Sequence, residues 1–124
     1  MDQDTRHFAR LFMVELEDLI EDIRLLMERT GKRFESGEIT HYVRMENEAF
    51  LQREVDAIEK FKGIVDGIDL SFYKGISDVE AALLEKSRDY VARLEDPEAV
   101  YVLLKRKLEK VRNFLSPGNN DTVS

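Results

Sequence analysis

The stretch from Phe8 to Met27, FARLFMVELEDLIEDIRLLM, decides the fold of this chain. At about 100° of rotation per residue, its large apolar side chains gather on one face of a helix and its charged side chains on the other. Gly31 follows this pattern and is a typical C-terminal stop, so the pattern predicts a first helix from about Asp4 to Thr30. The predicted stripe consists of Phe8, Phe12, Leu16, Leu19, Ile23, Leu26 and Met27, with Leu11, Met13 and Ile20 at or beyond its margins.

A second amphipathic segment predicts a helix from about Ile39 to Val65, with Glu38 at its head favouring the helix dipole. Its apolar residues spread over an arc of roughly 180°, which is wider than a one-sided surface helix needs. The arc contains Val43, Phe50, Leu51, Val55, Ala57, Ile58, Phe61, Ile64 and Val65.

Two shorter helices follow a turn-rich connector. A capping-box pattern from Ser77 to Glu80 predicts the start of the third helix. Asp96 as a cap, Pro97 at the first helical position and Glu98 near the positive helix end predict the start of the fourth. The predicted stripes are Val79, Leu83, Tyr90 and Leu94 in the third helix, and Val100, Leu104, Leu108, Val111 and Leu115 in the fourth.

These four segments predict an all-α fold, because no alternating strand pattern extends over a comparable length. Short links between amphipathic helices favour an antiparallel, up-down-up-down four-helix bundle. The first hairpin is longer, leaving about 15 Å of it uncovered within the chain. We predict one helical-bundle domain over residues 1–116 and a disordered polar tail over residues 117–124.

The composition narrows the function classes. The chain has 124 residues, a formal charge of −7 and no cysteine, so disulfides, thiolate metal sites and cysteine nucleophiles are excluded. An acidic chain repels nucleic acid and anionic membranes overall. No apolar run approaches the length of a membrane span and no signal pattern opens the sequence, so we expect a cytoplasmic protein without a membrane partner.

The segment EITH, from Glu38 to His41, has the carboxylate–histidine spacing of di-iron bundles. The segment DTRH, from Asp4 to His7, has the same spacing with an aspartate. Both His41 and Glu38 point roughly 150° away from the apolar arc, and antiparallel helices place the two histidines about 35 Å apart. We therefore predict two exposed histidines, no resident metal and no cofactor.

Polar residues within the apolar faces are the other candidates. Asn47 and Glu54 fall inside the arc of the second helix, and Glu15 lies at the edge of the first stripe. Each fits either a small polar pocket for a ligand or cation, or an ion pair or wet interface. We favour the second interpretation, in which a lone polar group sets register or partner choice.

A partner surface is predicted on the second helix. Tyr42, Met45 and Ala49 line its side opposite the main arc, while Phe50 and Phe61 lie on the arc. Apolar strips of this kind dock a partner helix or a second subunit. We predict these five residues as partner-binding.

The basic segment of the last helix, KRKLEKVR, suggests nucleic-acid binding through Lys105, Arg106, Lys107, Lys110 and Arg112. However, these cations do not form one stripe, and no aromatic side chain is interleaved for base stacking. A solvated helix face suits this segment better.

Catalytic motifs such as a glycine-rich phosphate loop or a nucleophile elbow do not occur. The sequence therefore favours a non-enzymatic bundle acting through protein–protein contacts, as an adaptor, chaperone or assembly factor, with self-association as a homodimer. Two alternatives stay open: a carboxylate bundle that binds a metal or small ligand through Glu15, Glu54 and His41, and a nucleic-acid-associated protein using the basic last helix.

Overall fold

All regular structure in the described part of the chain is helical. The computed structural model describes residues 3–93 and 97–115, with side chains described over 4–93 and 101–115. Its elements are α1 (Gln3–Glu35), α2 (His41–Asp66), a short 3-10 turn (Leu70–Phe72), α3 (Ile76–Val91) and α4 (Pro97–Leu115). Within these residues there is no strand, and no helix is both long and apolar enough to cross a membrane.

Helix α1 does not end at Gly31, as the sequence predicts, but continues to Glu35 and has 33 residues. An interior glycine costs about 1 kcal/mol relative to alanine, which a long helix tolerates. The predicted end of the first helix at Thr30 is therefore wrong, because the sequence alone does not show which glycine adopts the conformation that ends a helix.

The residue that ends α1 is Gly37, whose φ of 83° lies in the left-handed region that glycine favours. The N–H of Gly37 donates to the carbonyl of Phe34 at 3.0 Å, and the N–H of Glu38 donates to the carbonyl of Arg33 at 2.9 Å. This pair of bonds is a Schellman motif. An ion pair between Arg33 Nε and Glu38 Oε2, at 3.0 Å, closes the same turn.

Helix α2 begins with Thr40 as its N-cap, whose hydroxyl accepts from the N–H of Val43 at 3.2 Å. Threonine is a favoured cap because its oxygen satisfies one of the free first-turn amides. His41 is therefore the first helical residue, and Glu38 lies before the helix rather than at its head. The two ends of EITH consequently do not share one helical face.

Helix α3 starts before the predicted capping box. Gly75 is the N-cap, and no side chain makes a cap hydrogen bond there. Ile76 packs against the core, which places the start of the helix ahead of Ser77. Asp78 in the first turn accepts weakly from the N–H of Lys74, at 3.4 Å.

Helix α4 begins at Pro97, as predicted from the fixed φ of proline. Several other predictions concern residues outside the described part of the chain: Leu94, Asp96, the side chains of Glu98 and Val100, and the tail over residues 117–124.

The core is built from the apolar faces of all four helices. It consists of Phe8, Phe12, Leu16, Leu19, Ile20 and Ile23 from α1; Val55, Ile58, Phe61 and Val65 from α2; Val79, Leu83 and Val91 from α3; and Leu104, Leu108 and Val111 from α4. The predicted stripes thus form the core over most of their length. Ile20, predicted at a margin, is buried, whereas Leu26 is 45% exposed.

Contacts between the helices show which of them pack together. Helix α1 lies against α2, α3 and α4, and α3 also lies against α4. Phe12, near the start of α1, meets Phe61, near the end of α2, whereas Thr30, near the end of α1, lies opposite Asn47, near the start of α2. These two helices therefore run in opposite directions.

Candidate functional site

A groove lies between the C-terminal half of α1 and the N-terminal half of α2. Its volume is about 380 Å³. Both helices carry their core stripes into it, so it continues the seam that is buried further along the same pair. We call it the seam groove; it is lined by Leu26, Arg29, Thr30, Arg33, Asn47, Phe50 and Leu51.

The apolar part of the seam groove is open to solvent. Phe50 is 38% exposed and Leu26 is 45% exposed, although both continue stripes that are fully buried at Ile23 and Ile58. Leu25, which precedes Leu26 in the chain, and Val43, two turns before Phe50, are also exposed. Grouped exposure of this kind marks an interaction surface more often than single scattered residues do.

The polar part of the groove carries positive charge. Arg29 and Arg33 belong to the lining, which contains no carboxylate, histidine or cysteine among its described residues. Arg33 is paired with Glu38, and Arg29 makes no ion pair within the described residues. The groove can hold apolar side chains with a polar rim.

Next to the groove, the turn between α1 and α2 is stabilised by contacts of the Phe34 ring. The guanidinium carbon of Arg44 lies 5.0 Å from the centroid of the Phe34 ring, and the His41 ring lies 5.7 Å from the same ring. Arg44 Nε also donates to Glu48 at 2.9 Å. A cation–π contact at a part-exposed position contributes about 0.5–1 kcal/mol.

The predicted strip on the opposite side of α2 is exposed. Tyr42, Met45 and Ala49 are all surface residues. The hydroxyl of Tyr42 donates to the Glu46 carboxylate, and this bond and charge raise the pKa of Tyr42. The α1–α2 pair therefore presents two apolar surfaces, of which the seam groove is the concave one.

Phe61 does not belong with the other predicted partner-binding residues, because its side chain is 0% exposed. Its ring stacks on Tyr90 at a centroid distance of 5.5 Å, and Tyr90 donates its hydroxyl proton to the carbonyl of Ala57 at 2.8 Å. Phe50 and Phe61 lie on one arc, but the neighbouring helices cover only the half that contains Phe61. The prediction for Phe61 is corrected to a core role.

Glu15 is an ion-paired residue, consistent with the interpretation that the sequence favoured. Its side chain is 16% exposed, and its Oε1 accepts from Lys110 at 3.0 Å and from Lys107 at 3.2 Å. Burial raises the pKa of Glu15, but the hydrogen bonds and charges of the two lysines outweigh it, so the pKa lies below its ordinary value.

The other two predicted polar residues are less enclosed. Asn47 is exposed rather than buried and lies in the seam groove, while Glu54 is half-buried on the same face of α2. Among the described side chains, the buried polar ones are Thr5, Thr30 and Ser87, none of which the sequence predicts. Ser87 donates to the carbonyl of Leu83 at 2.8 Å, which is the usual way a helix satisfies a buried hydroxyl.

The cations of α4 serve largely inside the fold. Lys107 and Lys110 pair with Glu15, and Arg112 pairs with Glu80 at 3.1 Å. Lys105 and Arg106 are exposed. Burial raises the pKa of Glu80 by more than the charge of Arg112 lowers it, with a smaller upward contribution from Glu109.

Both histidines are exposed. His7 lies in the second turn of α1, while His41 touches Phe34 near the other end of that helix, so a helical rise of about 40 Å separates them. Among the described side chains, no group of three or more histidines, cysteines or carboxylates is placed to hold a metal ion.

Sequence reasoning missed the α1 side of the groove. The predicted helix end at Thr30 gives Arg29, Thr30 and Arg33 no role, whereas α1 continues past all three. The signal that could have found them is Gly37, which is followed by a capping Thr40 and so marks the turn between two long helices.

Comparison of the chain with protein-family models, curated protein sequences and solved structures gave no significant match.

Proposed function

We propose that this protein is a non-enzymatic helical bundle that acts through protein–protein contacts, with a second copy of the chain as the partner that covers the seam groove. The observation that carries the proposal is the exposure of Phe50 and Leu26 on stripes that form the core elsewhere. A cytoplasmic location stays a prediction from the sequence.

The arrangement we propose is an up-down-up-down bundle with a projecting first hairpin. In its support, α1 and α2 have 33 and 26 residues, whereas α3 and α4 have 16 and 19. At about 1.5 Å per residue, the first pair has roughly 15–20 Å of seam beyond the reach of the second pair. Helices α3 and α4 pair in opposite directions through Glu80 with Arg112 and Arg88 with Tyr101, which also supports this order.

A second copy suits the uncovered seam for a geometric reason. Two hairpin ends that pack against each other about a two-fold axis form a second four-helix arrangement. In it, α1 and α2 of one copy cover the apolar seam of the other, as α3 and α4 cover the rest of the seam within one chain. Both copies then bury Leu26, Phe50 and Leu51 against apolar partners of the same kind.

The charge of this end of the chain also favours a second copy as the partner at the seam groove. Residues 25–50 carry five carboxylates and four lysines or arginines, so this end is nearly neutral in a chain of formal charge −7. The net charge of this segment therefore opposes association of two acidic chains only weakly.

The area of the uncovered seam determines how tightly we expect the two copies to associate. An uncovered stretch of about 15–20 Å across two helices, each about 10 Å wide, gives roughly 300–400 Å² per copy, which is below the area of a standard protein interface. We therefore expect a weak dimer with a Kd on the order of 100 μM, equivalent to about −5.5 kcal/mol at the standard state.

The test compares two charged substitutions at equally exposed apolar sites. Phe50→Asp places a carboxylate in the seam groove, and Val102→Asp does so on α4, where Val102 is 44% exposed. Light scattering over a concentration series should show a monomer for Phe50→Asp, with at least about a tenfold rise in Kd, and an unchanged dimer for Val102→Asp.

Circular dichroism at the same concentrations checks that both variants keep their helical content. Equal effects of the two substitutions on association, or none from Phe50→Asp, would refute the assignment of the groove as the interface.

A further inference from the structure

The edge of α1 that borders the seam groove continues an edge that α4 contacts further along. On that edge, Glu15 accepts from Lys107 and Lys110 of α4. Arg33 follows 18 positions after Glu15, which is about five full helical turns, so the two residues have the same angular position on α1. Arg29, one turn before Arg33, lies within about 40° of that position. This edge therefore carries a carboxylate where α4 covers it and cations where the groove is open.

Helix α4 does not extend along the whole of this edge. From Lys110 it continues for about 20 Å to Pro97 and for about 8 Å to Leu115. Arg33 lies about 27 Å along α1 from Glu15, which is beyond both ends of α4. Among the described residues, no helix therefore covers this edge at the level of Arg33.

The covered part of the seam indicates the shape of partner that the open part accepts. There α3 and α4 lie against α1, and their apolar side chains, including Leu83 and Leu104, join the core. In the groove, Leu26, Phe50 and Leu51 continue the same two stripes of α1 and α2. A helix with an apolar face continues this packing, as in other complexes in which an amphipathic helix binds a hydrophobic groove.

The cations of the groove determine the charge that such a helix needs. Helix α4 places lysines against Glu15, so a helix over the groove needs carboxylates against Arg29 and Arg33. Arg29 makes no ion pair within the described residues. Arg33 is paired with Glu38, but their side chains are 55% and 60% exposed, and an ion pair this exposed contributes little stability. Both guanidinium groups are therefore accessible to carboxylates of a partner.

We propose that the seam groove binds an acidic amphipathic helix of another protein. Its apolar side chains pack against Leu26, Phe50 and Leu51, and its carboxylates pair with Arg29 and Arg33. This inference goes beyond the proposed function and does not require self-association. A second copy that binds with a Kd on the order of 100 μM leaves the groove open at lower concentrations.

The test uses two synthetic helical peptides of about 18 residues that share one leucine stripe. One peptide carries glutamates beside the stripe, and the other carries lysines at the same positions. Each is titrated into ¹⁵N-labelled protein at about 20 μM, where the chain is mostly monomeric. The glutamate peptide should bind at least about ten times more tightly and shift the amide resonances of Phe50 and Leu51. The chain has a formal charge of −7, which favours the lysine peptide, so the expected order requires the local cations of the groove.

Two charge reversals test whether those cations are responsible. Arg29→Glu changes the charge in the groove, whereas Lys105→Glu makes the same change at an exposed position on α4. Arg29→Glu should weaken binding of the glutamate peptide at least about tenfold more than Lys105→Glu does, with the helical content of both variants unchanged by circular dichroism. The proposal would be overturned by equal affinity for the two peptides, by no binding of the glutamate peptide, by resonance shifts away from the groove, or by equal effects of the two reversals.

The failure of this inference is distinguishable from the failure of the proposed self-association. Peptide binding is measured at concentrations where the chain is monomeric, whereas the dimer is measured by sedimentation at higher concentrations. A dimer that does not bind the glutamate peptide at low concentration would show that only the acidic partner is wrong. A chain that binds the peptide and stays a monomer would show that only self-association is wrong.

Discussion

The ring of Phe61 packs edge-on against the ring of Phe12, with centroids 6.3 Å apart and an interplanar angle of 78°. This contact joins α1 to α2 at a fully buried position, whereas Phe50, eleven residues earlier on the same helix, is 38% exposed. One apolar face therefore serves two purposes along its length: internal packing at its C-terminal half and an open surface at its N-terminal half.

Phe61→Ala should lower the free energy of unfolding by about 3–5 kcal/mol, because it removes a buried ring and leaves a cavity next to Phe12 and Tyr90. Phe72→Ala is the matched control, since Phe72 is 78% exposed and should change stability by less than about 0.5 kcal/mol. Urea unfolding followed by circular dichroism measures both. Similar losses for the two variants would contradict the core role of Phe61.

Gly31→Ala and Gly37→Ala should change stability in opposite directions. Gly31 is inside α1 and a Cβ there meets no atom within 4 Å, so alanine should stabilise by about 0.5–1 kcal/mol. Gly37 has a φ of 83°, where alanine is strained, and should destabilise by about 1–2 kcal/mol. Thermal unfolding of both variants tests whether α1 runs through Gly31; a loss of stability in Gly31→Ala would place the end of the helix there.

Glu15→Gln should destabilise by about 1–2 kcal/mol at neutral pH, because two lysines lose their shared carboxylate. The folded-state pKa of Glu15 lies below its ordinary value, so its contribution is complete above the unfolded pKa of about 4.3 and is lost as the pH falls through the folded pKa. Unfolding free energies measured between about pH 6 and about pH 3 should show the difference between wild type and variant shrinking with acid. A constant difference would count against the pairing.

Glu80→Gln should show the opposite pH dependence. Burial raises the folded-state pKa of Glu80 despite the nearby Arg112. A raised pKa favours the folded state below the unfolded pKa, and this advantage disappears as the pH rises through the folded pKa. Wild type should therefore lose stability relative to Glu80→Gln as the pH increases from about 4 to about 7. A gain over that range would show that the charge of Arg112 dominates.

The all-α fold class was predictable because apolar residues recur at helical spacing in each of the four segments. Leu104, Leu108 and Val111 repeat at helical spacing and all three are buried. Helix ends were less predictable, since they depend on backbone conformation: the sequence offers both Gly31 and Gly37, and only the second has a positive φ. The same holds for α3, where Gly75 rather than Ser77 is the cap.

The candidate site was predictable only in part. The apolar arc of α2 predicts Phe50 and Asn47, but the sequence does not show how far along that arc the other helices reach, so it also predicts Phe61 as partner-binding although Phe61 is buried. Glu15 was identified as a polar residue at a stripe edge. Its partners, Lys107 and Lys110, lie 92 and 95 positions away in the chain, and only the three-dimensional structure brings them together.

Sedimentation equilibrium of the unmodified protein tests the central claim most directly. Over loading concentrations from about 1 μM to about 300 μM, we predict a reversible monomer–dimer equilibrium with a Kd on the order of 100 μM, with the average mass rising from 14.5 kDa toward twice that value. A single species of 14.5 kDa at every concentration would contradict the claim that a second copy covers the seam groove.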